Sequence, residues 1–363
     1  MCNFGLKKFK KCVCIYLRKK QMNRNVIKKL VEWKNNNDRK PLILKGARQV
    51  GKTWIMNEFG KRYYTNFVYF NFDENEDIKS IFQTNKDPFR IIDLLSMISN
   101  IQIEQNKTLI IFDEIQECPE ALNSLKYFNE KANNYNIIAA GSLLGTLLSS
   151  PKSFPVGKVD IINLYPLSFD EFLQATDSQL YNYYCTINAQ SIIEEYFHNK
   201  LLEKYNEYLI VGGMPECVAS WLKYKDSSKI LKIQKDLLEI YKNDFSKYNG
   251  KINAGRLLMV FISVPNQLAK ENEKFIYGVV KQGGRARDFE EAIQYLVESG
   301  LLYKIDNVSK IEHPLKAFDK YDQFKLFFFD IGLLKCHVGL SNEAIILKSD
   351  YQFKGPFTEN YVL

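Results

Sequence analysis

Residues 43–54 read ILKGARQVGKTW, and this short stretch restricts the fold more than any other. Gly46, Ala47, Arg48, Gln49, Val50, Gly51, Lys52 and Thr53 fit the spacing G-x-x-x-x-G-K-[ST] at every fixed position. Glycines at those places let the chain wrap tightly, so that backbone N–H groups can face an anion. A helix starting near Lys52 would add the positive end of its dipole. Such a loop has to join a strand to a helix N-terminus, and an apolar run (LIL) and a helical pattern (TWIMNEFGKRY) flank it as required. Together they predict a nucleotide phosphate ligand, ATP with Mg²⁺, cradled by residues 46–53. Lys52 is expected at the β- and γ-phosphates and Thr53 on the metal. The four positions between the glycines are free in side chain, so Arg48 leaves the pattern intact.

Strands and helices alternate through the first half. NFVYFNFDE reads as a strand with alternating aromatics, and DPFRIIDLLSMISNIQIEQN as an amphipathic helix. KTLIIFDEIQE is an apolar strand that ends in two carboxylates, Asp113 and Glu114. CPEALNSLKYFNEKAN is a helix with Pro119 in its first turn, YNIIAAGS a buried strand, and KVDIINLYPLSFDEFL a strand followed by a helix. This order predicts an α/β layer with a parallel sheet and helices on both faces, ending near residue 175. At the carboxyl end of its strand Asp113 can hold Mg²⁺ and Glu114 can polarise the water that attacks the γ-phosphate. Ser142, at the end of the next strand, can sense the γ-phosphate, orient that water or cap the following helix.

Composition bounds the rest. The chain has 363 residues, 46% hydrophobic and 25% charged, which suits a globular protein of two or three domains. No apolar run approaches the ~18–20 residues of a membrane span, so no membrane partner is expected. The net charge is +8, yet residues 1–21 hold Lys7, Lys8, Lys10, Lys11, Arg18, Lys19 and Lys20 and no acid. The remainder is close to neutral and gives no overall argument for nucleic acid. Residues 1–21 read as an appendage or over-extended start, or else as a basic arm for an anionic surface. Seven cysteines and three histidines are scattered without metal-ligand spacing, so a reducing cytoplasm is the expected compartment.

GARQVGKT, FDEIQ, AAGSLLG, LYPLSFDEFL, GGMPE, FKLFFFDIGLL and FKGPFTENYVL occur in that order. With them the chain resembles the prokaryotic AAA-type ATPases whose ATPase module precedes a domain of unknown function, over residues 22–363. The resemblance implies a P-loop NTPase core of the additional-strand type, then a winged helix, then a C-terminal domain related to restriction endonucleases. It implies the phosphate loop at Gly46–Thr53, the metal-binding and catalytic acids at Asp113 and Glu114, and the sensor at Ser142. Lys158 falls where relatives often carry a basic residue, either a charge-stabilising finger or a solvated strand start. Glu359, in FTENYVL, would be a nuclease-type acid, but the later carboxylate and lysine of such a site are missing, so this chain alone is not expected to cut nucleic acid.

The organisation expected is a basic extension over 1–21, an ATPase domain over 22–175 and a helical lid over 176–250. A winged-helix domain over 251–340 follows, and then the start of a truncated further domain over 341–363. The hairpin of the winged helix is expected in SGLLYKIDNVSK. The preceding helix is the candidate recognition helix, with Arg285 and Arg287 at its start and Asp288, Glu290, Glu291 and Glu298 along it. Acids repel phosphates, so a protein partner or interdomain role is expected ahead of DNA. VGGMPECV reads as a tight turn packed on the core, or as a nucleotide-sensing hinge. Two functions remain open: an ATPase that moves its C-terminal module, and a nucleotide-gated switch or DNA-binding regulator with little turnover. An oligomer is compatible with either.

Overall fold

Leu42–Lys45 forms the first strand, its apolar side chains buried between helices on either side. The computed structural model of the protein describes residues 23–141, 155, 157–247, 254–270, 274–346 and 353–363. The N-terminal half runs α1 (Val26–Asn35), β1 (Leu42–Lys45), α2 (Lys52–Tyr63), β2 (Asn66–Asn71), α3 (Glu76–Thr84) and α4 (Pro88–Ser99). It continues with β3 (Thr108–Asp113), α5 (Pro119–Lys131), β4 (Asn136–Gly141), β5 (Asp160–Asn163) and α6 (Phe169–Thr176). The five strands pair in parallel in the order β2-β3-β4-β1-β5. The expected parallel α/β sheet is present. In it β4 lies between the strand that enters the glycine loop and the strand that ends in Asp113, as the additional-strand arrangement requires.

Side chains alternate across this sheet with the period of two that a strand imposes. Ile43, Phe70, Ile110, Phe112 and Ile137 face one apolar cluster with α3, α4 and α5. Leu42, Leu44, Leu109, Ile111 and Ile138 face another, built with α1 and α2. That second cluster runs on without a break into the C-terminal half, so the two halves share one core.

The C-terminal half comprises α7 (Ser178–Tyr184), α8 (Glu195–Val211), α9 (Pro215–Tyr224), α10 (Ser227–Lys247), α11 (Ala254–Ala269), α12 (Tyr277–Val280) and α13 (Ala286–Glu298). Then come β6 (Leu302–Val308), β7 (Asp319–Phe328), α14 (Ile331–Val338), α15 (Asn342–Ile346) and α16 (Lys354–Val362). Tyr205 and Tyr208 of α8 serve the core rather than a stacking platform, meeting Phe169 and Tyr361 edge-on, whereas Tyr196 at the start of the helix is exposed.

Several elements differ from the expectation. The helix read over DPFRIIDLLSMISNIQIEQN stops at Ser99, because Asn100 takes a left-handed C-cap conformation (φ 53°). SGLLYKIDNVSK holds one strand, not a hairpin. β6 pairs antiparallel with β7, from Leu302 opposite Phe328 to Val308 opposite Asp319, because FKLFF supplies the alternating partner. α16, which contains the segment expected to open a further domain, packs on this hairpin. Asn360 accepts from the Phe328 N–H at 2.7 Å and donates back to the Phe328 carbonyl at 3.0 Å.

The first four residues of VGGMPE, Val211–Met214, form a buried joint. Gly213 donates its N–H to Asp330 Oδ2 at 2.7 Å, and its carbonyl accepts from Leu167 N–H at 2.7 Å. Burial of Asp330 pushes its carboxyl up to about 6, against the N–H bonds from Leu333 and Gly213 that favour the charged form.

Candidate active site

The glycine loop leaves β1 and enters α2 at Lys52. Two glycines are required by its shape. A Cβ on Gly46 would lie 2.2 Å from the Leu164 carbonyl oxygen, and Gly51 has φ 93°. Gln49 shares the left-handed region at φ 66°, a cost that the surrounding packing sustains.

The loop's outward carbonyls find donors in the loop's own lysine and in two distant places. Lys52 Nζ donates to Gly46 and Ala47 carbonyls, both at 2.9 Å. Tyr241 OH, on α10, donates to the Arg48 carbonyl at 2.8 Å. Arg24 Nη1 donates to the Val50 carbonyl at 3.2 Å. Carbonyls held outward leave the N–H edge of the loop for an anion. Burial pushes the Lys52 ammonium down to about 8, while the charges of Glu114 and Asp113 work the other way.

β3 brings the acids to the loop. Asp113 is buried, and its Oδ2 accepts from the Thr53 hydroxyl at 2.6 Å and from the Tyr69 hydroxyl at 2.9 Å. Burial and the Asp113 carboxylate both push the Tyr69 phenol up, so it stays a donor. Glu114 follows at the strand end with a left-handed backbone (φ 49°), and Gln116 Nε2 donates to its Oε2 at 2.6 Å. Thr53 and Asp113 are a hard oxygen pair at the mouth of the loop, a donor set that suits Mg²⁺. Among the described residues no group of three His, Cys, Asp or Glu forms a separate metal cluster.

Lys52, Thr53 and Asp113 therefore converge, with Glu114 beside them. Ser142 lies outside the described residues. Arg48 turns away from the loop: its Nη1 meets Asp244 Oδ1 on α10 at 2.7 Å. Lys158 pairs on the surface with Glu130 at 2.9 Å. Glu359 pairs with Lys325 at 3.0 Å. Arg285 is the N-cap of α13, its N–H donating to Asp288 Oδ2 at 3.0 Å, and Arg287, Glu290 and Glu291 are exposed.

Tyr69, Gln116, Arg24, Tyr241 and Asp244 are absent from the sequence-based site. Gln116 and Tyr69 stand inside quoted strands, but nothing in the pattern marks their hydrogen bonds. Arg24, Tyr241 and Asp244 reach the loop only through tertiary packing.

The model of the AAA domain family matches residues 38–173, the segment that carries the loop, Asp113 and Glu114. The chain carries an AAA-type P-loop domain. A domain of unknown function, DUF8612, matches residues 202–344 behind it. A relative from Haemophilus influenzae, described as an uncharacterized protein, is 26% identical over 206 residues, covering 53% of this chain and 44% of its own length. The chain thus matches less than half of that relative. Among solved structures, the Aeropyrum pernix ORC1 protein in complex with DNA is 11% identical, covering 89% of this chain and 92% of its own, with a TM-score of 0.31. Drosophila ORC bound to DNA is 12% identical over 90% of this chain and 95% of its own, also with a TM-score of 0.31. Likenesses this loose carry no inference about partners.

Proposed function

We propose that the AAA domain binds Mg–ATP at Gly46–Thr53 and hydrolyses it. The observation that carries this reading is the contact of Thr53 with Asp113 at 2.6 Å, which joins the phosphate loop to the acidic end of β3. The N–H groups of the loop and Lys52 take the β- and γ-phosphates. Thr53 and Asp113 hold Mg²⁺, which supplies charge neutralisation to the phosphates. Glu114 accepts the proton of the attacking water, and Gln116 orients its carboxylate. Ser142 remains the proposed sensor. In this reading the phosphate loop is the Walker A element and Asp113–Glu114 the Walker B element.

The proposed organisation keeps the ATPase domain at 22–175, the helical lid at 176–250 and the winged helix at 251–340, with hydrolysis moving the winged helix. Three helices followed by the β6–β7 hairpin support a winged helix. Its partner is a protein before DNA, because Glu290 and Glu291 stand beside Arg287 on the exposed face of α13. Duplex binding at low salt that is lost when Arg285 and Arg287 are changed to Ala would reverse that order. The free thiols of Cys118, Cys185, Cys217 and Cys336 fit a reducing cytoplasm, and among the described residues no helix is long and apolar enough to cross a membrane.

The experiment is a turnover assay on Glu114→Gln. Retained ATP binding with phosphate release cut at least 100-fold supports hydrolysis. Equal slow release from both proteins supports a nucleotide-gated switch instead.

A further inference from the structure

The phosphate loop is held from the C-terminal half as well as from its own domain. Tyr241 is 2% exposed, and its hydroxyl bonds the carbonyl of Arg48 at 2.8 Å. Its ring stands edge-on to Phe329 at 5.6 Å, next to Asp330. One turn on, Asp244 takes the Arg48 guanidinium at 2.7 Å. Two turns back on the same helix Gln234 is fully buried and donates to the Ile210 and Val211 carbonyls, at 2.9 and 3.1 Å. Those carbonyls open the VGGMPE joint, which Asp330 closes from the far side. A further contact from the C-terminal half reaches the loop at Gly300, where an added Cβ would sit 3.3 Å from the Ala47 nitrogen.

These contacts have a shared logic. A loop that binds phosphate with its N–H groups has to keep its carbonyls turned away. Among the described residues, the Arg48 carbonyl is held by a side chain from the C-terminal half. Moving α10 therefore changes the orientation of the 48–49 peptide, and with it the cradle. By linkage, filling the cradle has to restrain α10 by the same free energy.

We propose that Tyr241 and Asp244 are positioning residues of the phosphate loop, so that α10 sets nucleotide affinity and nucleotide occupancy is transmitted along α10 to the Gly212–Gly213/Asp330 joint. The proposal rests on the nucleotide reading of residues 46–53. Tyr241 carries most of the effect, because the residue is buried and its hydroxyl bond is only partly open to water. The Arg48–Asp244 pair is partly exposed and contributes less, in a salt-dependent way.

The test is amide hydrogen exchange and MgADP titration on the full chain, as wild type, Tyr241→Phe and Asp244→Asn. In wild type MgADP should slow exchange in peptides over 43–56 and over 236–247. In Tyr241→Phe the Kd for MgADP should rise about tenfold, the loss of one hydrogen bond. Slowing over 236–247 should vanish while that over 43–56 persists at saturating nucleotide. Asp244→Asn, a surface change that keeps the shape of the side chain, should weaken binding about twofold at low salt and less at high salt. A purely structural Tyr241 would lower the unfolding temperature and leave both the Kd and the exchange response of 236–247 unchanged, and that result would overturn the proposal. No slowing over 43–56 in wild type would instead overturn the nucleotide reading, and the coupling with it.

Discussion

Arg24 and Glu171 form a buried pair, Nε to Oε2 at 3.2 Å, with side chains only 5% and 6% exposed. The pair joins the start of α1 to α6, and both residues have further work. Arg24 also holds the Val50 and Tyr165 carbonyls, and Glu171 also accepts from the Ser168 N–H at 3.1 Å in a capping box. Removing one partner strands a charge in the core. Arg24→Ala should cost about 3–5 kcal/mol of stability and loosen the phosphate loop at Val50. Urea unfolding measures the first effect. Arg24→Lys should recover only part of it, since an ammonium lacks the planar fork that spans three acceptors.

Tyr69 touches the proposed metal site through Asp113. Tyr69→Phe removes the hydroxyl that bonds Asp113 Oδ2 and leaves the ring in place. The Mg²⁺ concentration needed for half-maximal turnover should rise about tenfold, with the fold unchanged by circular dichroism. An unchanged Mg²⁺ requirement would show that Tyr69 only packs.

Lys52 gives a protonation signature. Burial lowers its ammonium to about 8, so at pH 8 part of the nucleotide-free protein carries it neutral. Polyphosphate favours the charged form, so binding should take up protons. Calorimetric titration with MgADP at pH 8 in buffers of different ionisation enthalpy should give heats that vary with the buffer. The dependence should fade at pH 6.5, where Lys52 is already charged, and disappear in Lys52→Met along with most binding.

Asp330 has a folded-state value raised from 3.8 to about 6. A raised acid contributes stability that is full below its unfolded value and is lost as pH climbs through the folded one. Between pH 4 and 7 wild type should therefore lose stability relative to Asp330→Asn. At pH 7 the difference should be set by the N–H bonds of Gly213 and Leu333, which a carboxylate satisfies better than an amide. Chemical unfolding at three pH values in that window checks the sign.

Much of the N-terminal half was legible in the sequence because its signals are local. A glycine loop, apolar strands and capping residues each act within a few residues, and they mark β1, α2, β3, α5 and β4. α3 was not read, although Ile78, Ile81 and Phe82 carry helical spacing over a short span. The partner of β6 was missed because a hairpin with a long connection leaves no turn signature. The site divides in the same way. Lys52, Thr53, Asp113 and Glu114 follow from motif and strand polarity, whereas Arg24, Tyr241 and Asp244 reach the loop from 26, 193 and 196 residues away along the chain, where no spacing rule reaches. Arg48 fits the motif, but its side chain binds Asp244 outside the cradle.

The central claim is that residues 46–53 bind nucleotide phosphates with Lys52, Thr53 and Asp113. Isothermal titration of Mg–ATP into the full chain, as wild type and as Lys52→Ala, tests it most directly. The account predicts saturable one-to-one binding by wild type, weakened at least 100-fold in Lys52→Ala, a protein that should remain folded. Equal affinity of the two proteins for Mg–ATP, or no binding by wild type, would contradict it.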